Sequence, residues 1–159
     1  MTTDSNEIRD RALAAGAKAP FIRPADLADD VAPMYAVVEH AVREIVQLHR
    51  HVTSIILLQP TSPFRTPDNI KSAVRLYEAM RADSLVSVCD VPHQFTPGSL
   101  MRSVGGALHF EKAKTHTRQN KDQYLARNGP AILITSVDTV LNGSLYGNET
   151  IPFLSLIHI

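Results

Sequence analysis

The chain has 159 residues, of which 44% are apolar and 20% charged, and its sixteen Lys and Arg are balanced by sixteen Asp and Glu. That length supports one domain, its apolar content excludes a disordered or collagen-like chain, and no apolar run approaches the ~20 residues of a membrane span. A formal charge of zero also excludes a global field that gathers nucleic acid or anionic lipid, so any anion binding has to come from local placement.

Asp4, three residues before Glu7, predicts the cap of a first helix in which Ile8, Ala12 and Ala15 recur at helical spacing until Gly16. An α/β domain seldom opens on a helix, so a strand is expected upstream of Met1. Residues 33–50 predict a second helix, with Val37, Val38, Ala41, Val42, Ile45 and Leu48 on one stripe. The run from Val52 to Leu58 does not alternate at its apolar end, which predicts a central parallel strand buried on both faces. Thr66 then caps a third helix with Pro67 in its first position and Ile70, Ala73, Val74, Tyr77 and Met80 facing inward. A second strand, Leu85 to Cys89, completes a βαβ unit, and the expected fold class is α/β with a mainly parallel sheet. Cys89 has no second cysteine to pair with, so it reads as a core thiol rather than part of a disulfide or thiolate metal site.

From Val91 to Gly129 no periodicity is evident, and a gap that long predicts a functional excursion or a subunit arm. Arg102, Lys112, Lys114, Arg118, Lys121 and Arg127 outnumber Glu111 and Asp122 there, a local surplus of four positive charges. Ala131 to Ile134 predicts a returning strand, Ser136 to Leu141 a short helix, and Asn142-Gly143 a turn.

The segment Leu57-Leu58-Gln59-Pro60-Thr61-Ser62-Pro63-Phe64-Arg65 lies just beyond the carboxyl end of a predicted strand, where open α/β sheets bind ligands. Pro60 and Pro63 stiffen a short polar loop that offers Gln59, Thr61, Ser62 and Arg65. A plain strand-to-helix connection explains the same residues. Before the returning strand, Arg127-Asn128-Gly129-Pro130 offers close backbone approach at Gly129 and a donor and acceptor at Asn128, as would an ordinary turn. His93, His109 and His116 are too widely spaced to predict a metal triad, and the phosphate-loop, dinucleotide and serine-elbow motifs are absent. The residues alone therefore lead to an α/β ligand-binding domain with a polar loop and a basic arm.

At LLQPTSPFR the sequence resembles the acylneuraminate cytidylyltransferases, or CMP-sialic acid synthetases. TTDSNEI, PFIRPADLADD, VPHQFTPGSLMR, TRQNK, RNGPAILI and SLYGNETIPF resemble further segments of that family in the same order, over roughly residues 2–153. The resemblance implies a Rossmann-like fold of the nucleotide-diphospho-sugar transferase type and transfer of CMP from CTP to a sialic-acid-like sugar acid, with release of pyrophosphate. It also implies Mg²⁺, a cytoplasmic homodimer, and an arm over residues 91–129 that reaches the neighbouring subunit. By motif, Arg23 is implied to contact the nucleotide base, Gln59 and Asn128 to hold substrate, and Arg118 to meet the sugar carboxylate, with Ser62 and Arg65 supporting the loop.

The sequence departs from the family at Met34, where a hydroxyl is common, at Ala126, where an arginine is common, and in residues 154–159, which do not resemble it. The family's triphosphate loop and its acidic metal pair have no counterpart, since no Asp or Glu follows Glu149. The expectation is a partial domain over 1–153 that does not catalyse by itself. A non-catalytic dimerisation or sugar-nucleotide-binding module of the same fold is the alternative.

Overall fold

The computed structural model describes residues 1–48, 51–110, 123–127, 129 and 131–154. Helix α1 (Asn6–Ala14) is capped by Ser5, whose hydroxyl accepts from the Ile8 amide, rather than by the expected Asp4. Helix α2 (Met34–Leu48) buries Val37, Val38 and Val42, the stripe its periodicity predicts. Strand β1 (Ser54–Leu57) leads through a loop to helix α3 (Pro67–Met80), where Thr66 and Asn69 form a reciprocal capping box before Pro67. Strand β2 (Ser84–Asp90) follows, and its first five residues are buried. After a hairpin, β3 (Met101–Val104) and β4 (Ala107–Phe110), come β5 (Leu125–Arg127), β6 (Leu133–Ser136), helix α4 (Val137–Leu141) and β7 (Thr150–Leu154).

The α/β class stands, but the sheet is mixed rather than mainly parallel. The returning strand β6 inserts antiparallel between β1 and β2, β5 pairs antiparallel with β2, and only the β2–β7 pairing is parallel among the described residues. Strands β1, β2 and β7 still point the same way, so their carboxyl ends share one edge of the sheet. Val88 is opposite both Arg127 and Leu154, which puts β5 and β6 on one side of β2 and β7 on the other. Strand β1, expected at the centre, has β6 as its neighbour among the described residues, and Ile56 is 40% exposed.

Cross-strand partners share a face. On one face α2 and α4 bury Val38, Val42, Val137 and Val140 against Ile55 and Leu57, continuing into Val86, Val88, Leu133 and Tyr146. On the other, α3 places Ala73 and Ile70 on Leu85, Ile132, Ile134, Ile151 and Phe153. Cys89 is half-buried, with its thiol directed at the Ala126 carbonyl 3.7 Å away, and is not the core group expected.

The stretch read as irregular contains an ordered hairpin. Gly105 and Gly106, both at positive φ (57° and 84°), make the two-residue turn joining β3 to β4. All eight strand residues are exposed, and the register places Met101, Leu108 and Phe110 on one face. No helix among the described residues is long and apolar enough to cross a membrane.

Candidate functional site

The loop after β1 is built by its prolines. The Ser62 amide donates to the Gln59 carbonyl at 3.3 Å, closing a turn with Pro60 in its second position, where a fixed φ near −65° is favoured. One guanidinium nitrogen of Arg65, Nη1, then donates to the carbonyls of Gln59 at 2.8 Å and Ala131 at 2.9 Å. This clamp fastens the strand-end loop to the segment preceding β6. Gly129, at φ 73°, makes the bend just before it in a conformation that disfavours a Cβ. Ser87 holds the same segment from β2, exchanging bonds with the Ile132 backbone through its amide at 2.8 Å and its hydroxyl at 2.9 Å.

Gln59 is half-buried at this junction. Arg65 is half-buried as well, with its guanidinium turned onto the two carbonyls. Ser62, one of the groups the polar loop was expected to offer a ligand, is fully buried and presents no surface to one, because the turn folds its side chain inward. Asn128 and Arg118 lie outside the described residues, as does His116.

Arg23 lies elsewhere, at a concavity of about 640 Å³ lined by Asp4, Ile22, Arg23, Pro24, Ala25, Ala28 and Asp29. Its Nη2 bonds Asp4 Oδ1 at 3.0 Å and its amide bonds the Thr3 carbonyl at 2.9 Å, so the residue stitches the extended segment before α2 to the chain start. That hydrogen bond holds the Asp4 carboxyl below its ordinary value of 3.8. On α2, the Arg43 hydrogen bond likewise lowers Glu39, while burial, with help from Glu39, raises the Tyr35 phenol. Tyr35 donates to the Val140 carbonyl at 3.0 Å and serves the α2–α4 packing.

One pair escaped the sequence reading. Arg127, opposite Val88 on the face of α2, donates from Nη1 to the Tyr146 hydroxyl at 2.6 Å, and its guanidinium carbon sits 5.4 Å from that ring's centre. The sequence showed Arg127 as part of a charge surplus and at the start of the RNGPAILI segment, with no role of its own. Tyr146, nineteen residues on, lies in the SLYGNETIPF segment but was given no role by the sequence. An alternation check against Val88 would have placed Arg127 on a face, but the register needed for that comes from the fold.

His93 uses its carbonyl to accept from the hydroxyls of Thr96 and Ser99, and His109 is exposed on β4. Among the described residues no three His, Cys, Asp or Glu side chains are grouped to hold a metal ion.

The strand-end loop and its clamp occupy the segment that carried the family resemblance, and known proteins can now be set beside it. The chain is 31% identical over 157 residues to the CMP-N,N'-diacetyllegionaminic acid synthase of Legionella pneumophila, a match covering 97% of this chain and 66% of that protein. The chain belongs to the CMP-sialic acid synthetase family. Other relatives include the N-acylneuraminate cytidylyltransferase of Escherichia coli, 34% identical over 103 residues, covering 64% of this chain and 23% of that protein. The pseudaminic acid cytidylyltransferase of Campylobacter jejuni is 36% identical over 73 residues, covering 46% of the chain and 32% of that protein. The chain thus spans from about a quarter to about two thirds of the length of these family members.

A solved CMP-2-keto-3-deoxy-manno-octonic acid synthetase, in complex with CTP, superposes with a TM-score of 0.61 over 97% of this chain and 71% of its own, at 12% identity. That likeness shows that the chain shares the Rossmann-like fold of that structure. No protein-family model matches.

Proposed function

We propose that this chain belongs to a cytidylyltransferase and contributes the cleft in which CTP meets a nonulosonic sugar acid. In that reaction the anomeric oxygen of the sugar bonds to the α-phosphorus, the bond from the α-phosphorus to the oxygen it shares with the β-phosphorus breaks, pyrophosphate departs with that oxygen, and the hydroxyl proton passes to solvent. The observation that carries the reading is the match to the legionaminic acid synthase over nearly the whole chain. Its chemistry agrees with a proline-braced loop at the carboxyl ends of co-directional strands, the place where open α/β sheets bind ligands.

In this reading Gln59 and Asn128 hold substrate and Arg118 meets the sugar carboxylate, while Arg65 and Ser62 support the loop. Arg23 meets the nucleotide base. Mg²⁺ belongs to the reading through the family, where it would offset the charge of the triphosphate. The described residues contain no cluster that fits the ion, so no step is assigned to it here. Homodimerisation is the third part. An isolated two-stranded hairpin is marginal in water, and the exposed Met101, Leu108 and Phe110 of β3–β4 suit a second copy of the chain. A cytoplasmic address goes with the use of CTP.

Calorimetric titration of the chain with CTP, ATP and N-acetylneuraminate tests the reading. Saturable binding of CTP in preference to ATP, together with binding of the sugar acid, is expected. Equal affinity for CTP and ATP with no sugar-acid binding would overturn it. Sedimentation of the same samples tests the dimer, which a monomer at tens of micromolar would refute.

A further inference from the structure

We infer that Arg127, held on the ring and hydroxyl of Tyr146, is an oxyanion-binding residue of the sugar-nucleotide cleft. The inference rests on the cytidylyltransferase reading and extends it to two residues, Arg127 of RNGPAILI and Tyr146 of SLYGNETIPF, to which the resemblance assigns no role. Arg127 stands opposite Val88, on the face where Val86, Val88, Leu133 and Leu57 pack with Tyr146. It precedes Ala131 by four residues, so its Cα lies within ~14 Å of the residue whose carbonyl Arg65 ties to the Gln59 loop. Gln59 follows the carboxyl end of β1, and Arg127 of β5 pairs with Val88 near the carboxyl end of β2, so both belong to the same edge of the sheet.

The guanidinium is anchored but not used up. Tyr146 takes one N–H from Nη1 and lies within cation–π distance. Among the described residues no second hydrogen bond engages its five N–H donors. Among the described residues Arg127 enters no ion pair with a carboxylate, whereas Arg11, Arg23 and Arg43 each have one at 2.6–3.0 Å. An exposed arginine whose orientation is fixed by a phenol, with its fork open, matches the geometry of a carboxylate or phosphate, which accept two parallel N–H bonds. A structural role in joining β5 to the loop before β7 needs the ring and the hydroxyl, but not the open fork. The ligand chemistry is an oxyanion, supplied by the sugar carboxylate or by the phosphates of CTP.

Nitrogen-15 NMR of the labelled chain, titrated separately with N-acetylneuraminate, its methyl ester and CTP, distinguishes these sources. The expected result is a shift of the Arg127 side-chain Nε–H signal with one of the two anions. Arg127→Gln should weaken that anion by more than tenfold, and Tyr146→Phe, which keeps the ring and removes the hydroxyl, by a smaller factor. If the sugar acid weakens while the methyl ester binds both forms alike, the carboxylate is the partner; if CTP alone weakens, the phosphates are. Binding of both anions by Arg127→Gln at wild-type affinity would overturn the inference and leave the cytidylyltransferase reading standing. Failure of the wild-type chain to bind either anion would overturn both.

Discussion

The two ends of strand β2 use polar groups in opposite ways. At its amino end Asp83, Ser84, Gly147, Glu149 and Thr150 form a closed network. The Asp83 and Ser84 amides donate to the Glu149 carbonyl, Asp83 Oδ2 accepts from the Glu149 amide at 3.0 Å, and Ser84 Oγ meets both the Gly147 amide at 3.0 Å and Thr150 Oγ1 at 2.7 Å. At the carboxyl end Gln59 and Arg127 are half-buried or exposed, and among the described residues their side chains keep donors without partners. A saturated network fixes the fold of the chain, whereas unsaturated groups held by rigid neighbours are what a ligand site requires. The same sheet supplies both because its co-directional strands give it two chemically distinct edges.

The sharpest way to break the closed end is Gly147→Ala. A Cβ there would collide with the Cβ of Asp83 and come within 2.8 Å of its Cγ, so the bonds to Glu149 must shift. A loss of about 3 kcal/mol is expected, read as a lower urea midpoint; an unchanged midpoint would show that the two segments are not interlocked. Arg65→Met tests the connection between the ends of β1 and β6. Releasing the Gln59 and Ala131 carbonyls should cost about 2 kcal/mol and weaken ligand binding as well, since the loop loses its anchor. Retained stability would make the clamp a surface contact.

Gln59→Ala probes the open end itself. Sugar-acid affinity should fall more than tenfold, about 1.4 kcal/mol, with stability changed by less than about 0.5 kcal/mol; the reverse pattern would place Gln59 with the structural residues. The smallest effect concerns Asp4, whose carboxyl is held below 3.8 by Arg23. A lowered folded value means that the pair's contribution is present above the unfolded value and disappears as pH falls through the folded one. In Arg23→Gln the Asp4 titration followed by carbon-13 NMR should move up toward 3.8. An unmoved titration would show that the ion pair does not form in solution.

The βαβ unit was legible because α3 carries its own punctuation, Thr66, Pro67 and an inward stripe, and because β1 and β2 are short apolar runs. Strand direction was not. A run such as Ile55-Ile56-Leu57 records burial, not which neighbour supplies the hydrogen bonds, so the antiparallel insertion of β6 had no trace in the sequence. The β3–β4 hairpin did have a trace: Gly105-Gly106 flanked by alternating residues is a strong hairpin signal, and the surrounding charges obscured it. Strand β7 was hidden by Pro152, a residue that sheets carry chiefly in edge strands; among the described residues β7 pairs with β2 alone. At the site, the prolines advertised the Gln59 loop, while Tyr146 reaches Arg127 only through packing against Leu133 and Val88.

The central claim is that ligand binds at the carboxyl edge of the sheet and leaves the amino edge untouched. Backbone amide shifts of the labelled chain, recorded with saturating CTP and sugar acid together, test it most directly. The account predicts movement at Gln59, Arg65, Arg127 and Ala131, with Asp83, Ser84 and Glu149 stationary. Shifts concentrated at Asp83, Ser84 and Glu149, with the Gln59 loop silent, would contradict it.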